Sequence, residues 1–365
     1  RPPLQGIRII DFSRVIAGPM CTQMLSDMGA EVIKVENPDG GDDTRKGAGP
    51  RVNGESHFFM TYNRGKKSVA LDFTKPEGRE VVHKLLGSAD VMVENFRPGV
   101  LKKYGFDYAG VAAKYPKLIY LSISAYGQTG PLSDRPGYDP VLQAESGMMS
   151  VNGEADREGL RHAIAIVDTM TAIHAASAIN AALYARRDTN RGQHIDLALL
   201  DVQVAMLANQ ASNYLVGGHT PKRMGNAHIN VVPYQVLPTK DGHIVLAVGN
   251  DGQFDRFCKV VGLDDLPASP SFATNSSRVA NRDALAAIIS AITQYWLRDE
   301  LLGALESATV PAGPINTVAQ ALTDPQITAR GLVRRFDRAD APPVEGIRTP
   351  LRFEHADLSL DCGSR

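Results

Sequence analysis

An aspartate in an apolar stretch is the residue best placed to do chemistry. Asp168 is the only charged side chain between Arg161 and Arg186, and the alanine-rich sequence after it favours a closely packed helix. A carboxylate there is short of water and needs hydrogen-bonding partners. As an N-cap residue, it would accept backbone N–H groups at the start of that helix. The same position would keep it ionised and oriented, as a nucleophile requires.

A loop directly after a predicted strand carries groups that suit a nucleotide. In residues 94–99, Asn95 and Phe96 offer an amide and an aromatic face at the carboxyl edge of a sheet, where open α/β folds bind ligands. Positive charge in and after this loop comes from Arg97, Lys102 and Lys103. Residues 63–68 could also meet phosphate groups, but alone they fit a solvated turn better.

The elements that would position these residues alternate between strand and helix. Predicted strands lie at 6–12, 31–36, 68–73, 91–94, 118–122 and 194–197, with helices after 18–19, at 77–86 and after Asp168. This alternation predicts an α/β fold with a mostly parallel sheet covered on both faces. A helical pattern at 201–214 ends at two glycines. A hairpin at 234–248 and helices at 253–261, 283–297 and 299–308 predict a second, smaller unit. An extended segment at 346–353 has no evident partner.

Composition and missing motifs exclude several classes of function. A formal net charge of −1, from 39 basic and 40 acidic residues, indicates neither a nucleic-acid-binding nor a membrane-binding surface. Cys21, Cys258 and Cys362 form no C-x-x-C pair, which argues against disulfides and zinc and indicates a reducing compartment. The loop at 13–19 has one glycine where a dinucleotide fingerprint needs three. Without a signal peptide or a long apolar segment, we expect a cytoplasmic protein, although a trimmed leader could have targeted it elsewhere.

Ten blocks in sequence order resemble the family III CoA-transferases, also called the CaiB/BaiF family. They are residues 11–19, 29–36, 41–45, 63–72, 93–99, 126–131, Asp168, 191–196, 225–228 and 311–316. The resemblance implies a large Rossmann-like CoA-binding domain at 1–205, a linker at 206–225 and a smaller α+β domain at 226–330. It further implies that residues 331–365 return to the large domain and that two copies form an interlocked homodimer.

The family pattern assigns roles to individual residues. Asp168 matches the catalytic aspartate, which would form a mixed anhydride with the acyl group and then an aspartyl-CoA thioester. The expected CoA-binding residues are Val15, Leu71, Asn95, Phe96 and Lys103, with Arg97 added from its place in the loop. Supporting roles are expected for Tyr138, Asp139, Gly127 and Gln128, while loops 127–130 and 225–230 are candidates for oxyanion donor and lid. CoA would be part of the substrate, with no permanent cofactor and no metal.

Several departures narrow the activity within the family. Tyr138 stands where racemase members have the histidine of a Gly-His-Asp block, and a phenol with a pKa near ~10 is a poor base at neutral pH. Asn37 and residues 228–232 differ from formyl-transferring members, and the tail at 358–365 lacks the family's usual final motif. Blocks 15–19, 41–45, 126–131 and 232–235 instead resemble the branch that acts on short dicarboxylates. The alternatives are a 2-methylacyl-CoA racemase and a catalytically silent CoA-binding protein.

A dicarboxylate substrate has a second negative charge that must be met inside a site that excludes water. The candidate cations are Arg45, Arg51, His57 and Arg135, of which Arg45 is the one most expected to be structural. The predicted partners are therefore an acyl-CoA such as succinyl-CoA, a short carboxylic acid and a second copy of the chain, with no nucleic acid and no membrane.

Overall fold

The computed structural model describes residues 1–339 and 341–360. Its strands are β1 Arg8–Asp11, β2 Glu31–Glu36, β3 Arg51–Val52, β4 Glu55–Ser56, β5 Lys67–Ala70, β6 Val91–Glu94, β7 Ile119–Ser124, β8 His194–Ala198, β9 Tyr234–Thr239, β10 Gly242–Ala247, β11 Ala312–Pro314, β12 Val333–Phe336 and β13 Val344–Ile347. Its α-helices are α1 Ala17–Asp27, α2 His57–Tyr62, α3 Pro76–Leu86, α4 Tyr108–Ala112, α5 Asp139–Glu145, α6 Met148–Val151, α7 Ile166–Thr189, α8 Leu199–Ala205, α9 Ala208–Leu215, α10 Asp251–Val261, α11 Asn275–Ala280, α12 Arg282–Thr293, α13 Arg298–Ser307, α14 Val318–Thr323 and α15 Pro325–Ala329.

The chain divides into two compact units. Unit 1 comprises residues 1–148, 161–216 and the described residues from Pro325 onward. Unit 2 comprises Met149–Leu160 and Gly217–Asp324. Residues 149–160 thus belong to unit 2, although they lie within the stretch 1–205 that was expected to form the large domain.

Unit 1 is built on a six-stranded parallel sheet, which confirms the predicted α/β fold. The strand order is β5-β2-β1-β6-β7-β8, and every neighbouring pair is parallel. Counted along the chain, this order is 3-2-1-4-5-6, that of doubly wound folds. The strand order reverses between β1 and β6. Ligands of such folds bind at this switch point, outside the carboxyl ends of the strands.

Helices cover both faces of this sheet. On one face α1 and α7 pack against the strands through small and aliphatic residues that include Cys21, Leu25, Ala172, Ala175 and Ile179. On the other face the core contains Val82 and Leu86 of α3 with Phe106, Val111 and Tyr120. Helix α7 is long and apolar enough to cross a membrane by length and composition, but its buried residues belong to this core.

Unit 2 combines an antiparallel sheet with helices. Its strands lie in the order β11-β10-β9, and the β9–β10 hairpin confirms the one predicted at 234–248. Helices α10, α12 and α13 pack on it. Arg278, which is fully buried, donates to the carbonyls of Val232 (2.7 Å) and Phe272 (2.9 Å) and to Asp251 (2.7 Å). These bonds satisfy a charge that would otherwise be too costly to bury.

The last part of the chain returns to unit 1 as a two-stranded ribbon. β13 pairs antiparallel with β12, which supplies the partner that the sequence alone left open for the extended segment near 346–353. Arg64 stacks on Phe336 at 4.4 Å, and the backbone N–H of Ser359 donates to the carbonyl of Asp27 at 2.8 Å. Cys362 and the rest of the tail motif at 361–365 lie outside the described residues.

Candidate active site

Asp168 is the third residue of α7, so the prediction that it caps this helix is wrong. The helix begins at Ile166, and its N-cap residue Ala165 has no side chain able to accept a hydrogen bond. The cap comes instead from Asp139, whose Oδ2 accepts the backbone N–H groups of Val167 (2.8 Å) and Asp168 (3.1 Å). Because a distant acid satisfies these donors, the carboxylate of Asp168 is left free to react.

The surroundings of Asp168 make it an unusually basic carboxylate. Burial, and then the negative charge of Asp139, raise the pKa of Asp168 to about 7. Asp139 is itself buried and accepts from Gln143 Nε2 at 2.5 Å, which fixes its position. A nucleophile with a pKa near the working pH is both basic and substantially ionised. Asp139, one of the expected supporting residues, thus contacts the backbone of Asp168 directly.

A cavity of about 140 Å³ opens in front of Asp168 at the sheet's switch point. Three of the expected site residues, Val15, Asn95 and Tyr138, line it. The rest of the lining consists of Arg14, Ile16, Ala17, Asp43, Ile123, Ser124, Ala125, Gly137 and Leu199. The sequence alone did not identify Arg14 and Asp43 as site residues, although both lie in blocks that follow strands β1 and β2.

The loop between β1 and α1 is held rigidly beside this cavity. The Asn95 side chain accepts the Arg14 N–H at 2.9 Å and donates to the Arg14 carbonyl at 2.7 Å. Val15 has a φ of 71°, a left-handed conformation that is strained for a β-branched residue. Its N–H points at both oxygens of Asp42 at 3.3 Å, and buried Lys34 pairs with that carboxylate at 2.9 Å.

A second cavity of about 410 Å³ lies beside the first and shares Arg14 with it. Leu71 and Phe96, both expected to bind CoA, line this cavity together with Phe12 and Phe73. The rings of Phe73 and Phe96 stand edge to face at 5.9 Å. Aromatic and aliphatic walls at the edge of a doubly wound sheet suit a flat base such as adenine.

Other expected site residues do not line the Asp168 cavity. Arg97 and Gln128 line a separate cavity of about 240 Å³ with Glu94 and His194. Lys103 is exposed and lines none of these three cavities. The N–H of Gly127 donates to Ser124 Oγ at 2.9 Å.

Hydrogen bonds to other residues hold both the loop at 127–130 and the loop at 225–230, which were expected to act as oxyanion donor and lid. Besides the Gly127 bond, the N–H of Gln128 donates to Asp196 at 3.1 Å, so neither of these amides is a free oxyanion donor. In unit 2, Arg282 donates to the carbonyls of His228 (3.0 Å) and Ile229 (2.7 Å), which anchors the loop at 225–230.

The arginines expected to bind a distal carboxylate already bond to other groups of the protein. Arg45 makes two 2.7 Å bonds to Glu36 and stacks on Phe59 at 3.6 Å. Arg51 donates to three backbone carbonyls, and Arg135 pairs with Glu145 at 2.8 Å. The structure therefore gives no support to a substrate-binding role for these three. His57 lies on α2 and packs against Gly49.

Tyr62 is a further residue that the sequence did not single out. Burial, and then the negative charge of Asp168, raise the pKa of its phenol. It lies six residues from Ser56, the N-cap of α2, in a short helix that was not predicted. No pattern in the sequence connects it with Asp168.

The two cysteines in the described part of the chain are not placed for nucleophilic catalysis. Both are buried, and burial raises the pKa of Cys21 strongly and that of Cys258 to about 12. Within residues 1–339 and 341–360, no group of three or more His, Cys, Asp or Glu side chains could hold a metal ion. Neither of these thiols lines the cavity in front of Asp168.

Comparisons with known proteins agree with this geometry. A model of CoA-transferase family III matches residues 4–361. The chain is 48% identical to a succinate–glutarate CoA-transferase of Agrobacterium fabrum, over 99% of this chain and 92% of that protein. It is 42% identical to the succinyl-CoA:glutarate CoA-transferase of Homo sapiens, over 95% of this chain and 79% of that one. The crystal structure of a CaiB/BaiF family protein from Brucella suis superposes with a TM-score of 0.87 at 47% identity, covering 100% of this chain and 96% of the other. The chain therefore belongs to CoA-transferase family III and is a CoA-transferase.

Proposed function

We propose that this CoA-transferase moves CoA from succinyl-CoA to glutarate or a similar short dicarboxylate, with Asp168 as the nucleophile. The observation that carries the chemistry is the partly buried carboxylate of Asp168 in a cavity at the sheet's switch point. The acid class rests on the names of the relatives in Agrobacterium fabrum and Homo sapiens and on the dicarboxylate-like blocks of the sequence.

The reaction consists of four acyl transfers. A carboxylate oxygen of Asp168 attacks the succinyl thioester, forming a mixed anhydride and releasing CoA thiolate. The thiolate attacks the aspartyl carbonyl, which releases succinate and leaves an aspartyl-CoA thioester. Glutarate attacks this thioester, giving a second anhydride and thiolate again. Attack of the thiolate on the glutaryl carbonyl yields glutaryl-CoA and restores Asp168.

The expected CoA-binding residues fit this scheme to different degrees. Val15 and Asn95 line the Asp168 cavity, and Leu71 and Phe96 line the adjacent one, so CoA can lie across both with its thioester at Asp168. Arg97 lines a separate cavity, and neither it nor Lys103 lines the two cavities that share Arg14. We expect no permanent cofactor, because CoA enters and leaves with the substrates.

Trapping of the intermediate tests the proposal. Enzyme incubated with succinyl-CoA and hydroxylamine should lose activity, with a hydroxamate on the peptide that carries Asp168. Addition of glutarate instead should yield glutaryl-CoA by mass spectrometry. Modification of Cys21 or Cys258 would contradict the proposed mechanism. The absence of any acyl-CoA product would instead indicate a catalytically silent CoA-binding protein.

The racemase alternative predicts exchange of an α-proton. Tyr138 lines the Asp168 cavity at the position where racemases have a histidine, and the residue is 71% exposed. A phenol is a weaker general base at neutral pH than the imidazole it replaces. We therefore expect no exchange of the α-proton of a 2-methylacyl-CoA with deuterated water above background.

A further inference from the structure

One positive charge at the candidate active site has no hydrogen-bonding or ion-pairing partner among the described residues. The guanidinium of Arg14 makes no hydrogen bond or ion pair to any side chain or carbonyl in the described part of the chain, although its own backbone is fixed by Asn95. It differs in this from Arg45, Arg51 and Arg135, whose guanidinium groups are occupied. Arg14 is exposed and lines both cavities.

The orientation of Arg14 leaves its donors available. Its Cζ lies 5.1 Å from the centroid of the Phe96 ring, a cation–π distance. An aromatic ring restricts a guanidinium without consuming its N–H groups, which can still bind a carboxylate or phosphate as a planar fork. The loop that carries Arg14 is also anchored through Val15 and Asp42, so little ordering cost remains for a ligand.

The acidic lining of the cavity in front of Asp168 requires a cation there if a dicarboxylate is to bind. Asp168 and Asp43 both line it, and Arg14 is the cationic residue among its described lining residues, with its guanidinium beside Phe96 of the adjacent cavity. A substrate with a second carboxylate would bring a further negative charge next to these two acids. Without a cation, the cost of desolvating that charge would exclude dicarboxylates from the site.

We propose that Arg14 binds an anionic group of the substrates, the distal carboxylate of the dicarboxylate. This inference rests on the proposed function, since it names the residue that recognises the acid class. The same guanidinium could instead bind a phosphate of CoA, because Arg14 also faces the larger cavity. Both the distal carboxylate and a CoA phosphate are oxyanions that a guanidinium can bind. Kinetics with substrates that lack one or the other group distinguish the two.

The test is the kinetics of Arg14→Gln and Arg14→Lys with paired substrates. Glutarate is compared with pentanoate as acceptor, and succinyl-CoA with butyryl-CoA as donor, because each pair differs in the distal carboxylate. Where a monocarboxylate is not turned over, its inhibition constant replaces KM. Arg187→Gln is the matched control, since it removes one charge at the other end of α7, about 28 Å from Asp168 at 1.5 Å per residue.

We expect Arg14→Gln to raise KM for glutarate and succinyl-CoA by about 10- to 100-fold, the usual effect of losing a charged hydrogen bond. The constants for pentanoate and butyryl-CoA should change less than about twofold, and Arg14→Lys should fall between. A rise that is equal for succinyl-CoA and butyryl-CoA, and absent with butyryl-pantetheine, would assign Arg14 to a CoA phosphate and overturn the carboxylate assignment.

Unchanged constants in both arms would overturn the proposal entirely. Thermal unfolding and the dissociation constant of CoA, measured on each variant, show whether the site is intact. The proposed function fails separately, if the wild-type enzyme does not transfer CoA to glutarate at all.

Discussion

The folded state holds the carboxylate of Asp168 in surroundings that disfavour its charged form. Its pKa is raised to about 7, first by burial and then by Asp139, whereas in an unfolded chain it lies near ~4. The folded state therefore binds a proton more tightly than the unfolded state does. The contribution of this group to the free energy of unfolding is greatest below about pH 4, and it is lost as the pH rises through about 7.

Asp168→Asn should consequently make the protein inactive and more stable. At pH 8 the substitution removes a disfavoured charge, and we expect a gain on the order of 1–3 kcal/mol, reduced from the full pKa shift because the side chain is partly hydrated. At pH 4 the gain should nearly vanish. Thermal unfolding of both proteins at the two pH values measures this difference. A variant that is less stable at pH 8 would show that Asp168 is mainly a structural residue.

Asp139 should set the pH dependence of the reaction through its charge. Asp139→Asn keeps an oxygen to accept the N–H groups at the start of α7 but removes the charge that raises the pKa of Asp168. The midpoint of single-turnover acylation should therefore move to lower pH, while remaining above ~4 because burial persists. Asp201→Asn, an exposed acid in the first turn of α8, is the control. An unmoved midpoint would limit Asp139 to a helix-capping role.

At the scale of elements, the active site depends on how two loops at the sheet's switch point are joined. The loops after β1 and β6 meet through the two hydrogen bonds between Asn95 and the backbone of Arg14. Asn95→Asp keeps the acceptor but places an oxygen opposite the Arg14 carbonyl. We expect a loss of about 1–2 kcal/mol in stability, from one broken bond and one unpaired acceptor, and a raised KM for acyl-CoA.

The control for Asn95→Asp is a similar amide outside the site. Asn281 in unit 2 also bonds backbone carbonyls through its Nδ2, at 2.9 and 3.2 Å. Asn281→Asp should lower thermal stability by a comparable amount while leaving KM for acyl-CoA unchanged. Equal kinetic effects of both variants would mean that Asn95 acts on catalysis only through general stability.

Regular elements were predictable from the sequence, whereas the contacts that complete the site were not. Strands β2 and β6 begin and end as expected, because alternating apolar segments between glycine-rich turns leave few choices. The helix start at Ile166 was missed because its cap, Asp139, is 27 residues earlier in the chain. The occupation of Arg45 by Glu36 and the freedom of Arg14 likewise depend on tertiary neighbours, which residue spacing does not encode.

At the scale of the whole molecule, consecutive helices of unit 1 expose large apolar side chains. They are Ile173 on α7, Val204 on α8, Tyr214 and Leu215 on α9, and Val216 directly after it, with Leu215 79% and Val216 88% exposed. Single exposed apolar residues are common on protein surfaces, whereas several large ones on helices that follow one another in the chain are candidates for an interface. This pattern fits the homodimer expected from the family resemblance, in which a second copy would cover these helices.

We therefore expect the enzyme to sediment at twice the monomer mass at micromolar concentration. Leu215→Asp combined with Val216→Asp places two charges where apolar contact is expected, and it should shift the equilibrium toward monomer. Val81→Asp, an exposed apolar position on α3, is the matched control and should leave the mass unchanged. Because obligate dimers lose stability on dilution, the double variant should also unfold at a lower temperature. Its unfolding temperature should no longer depend on protein concentration. A wild-type protein that sediments as a monomer, or a double variant that remains dimeric, would show that these helices are not the contact between two copies.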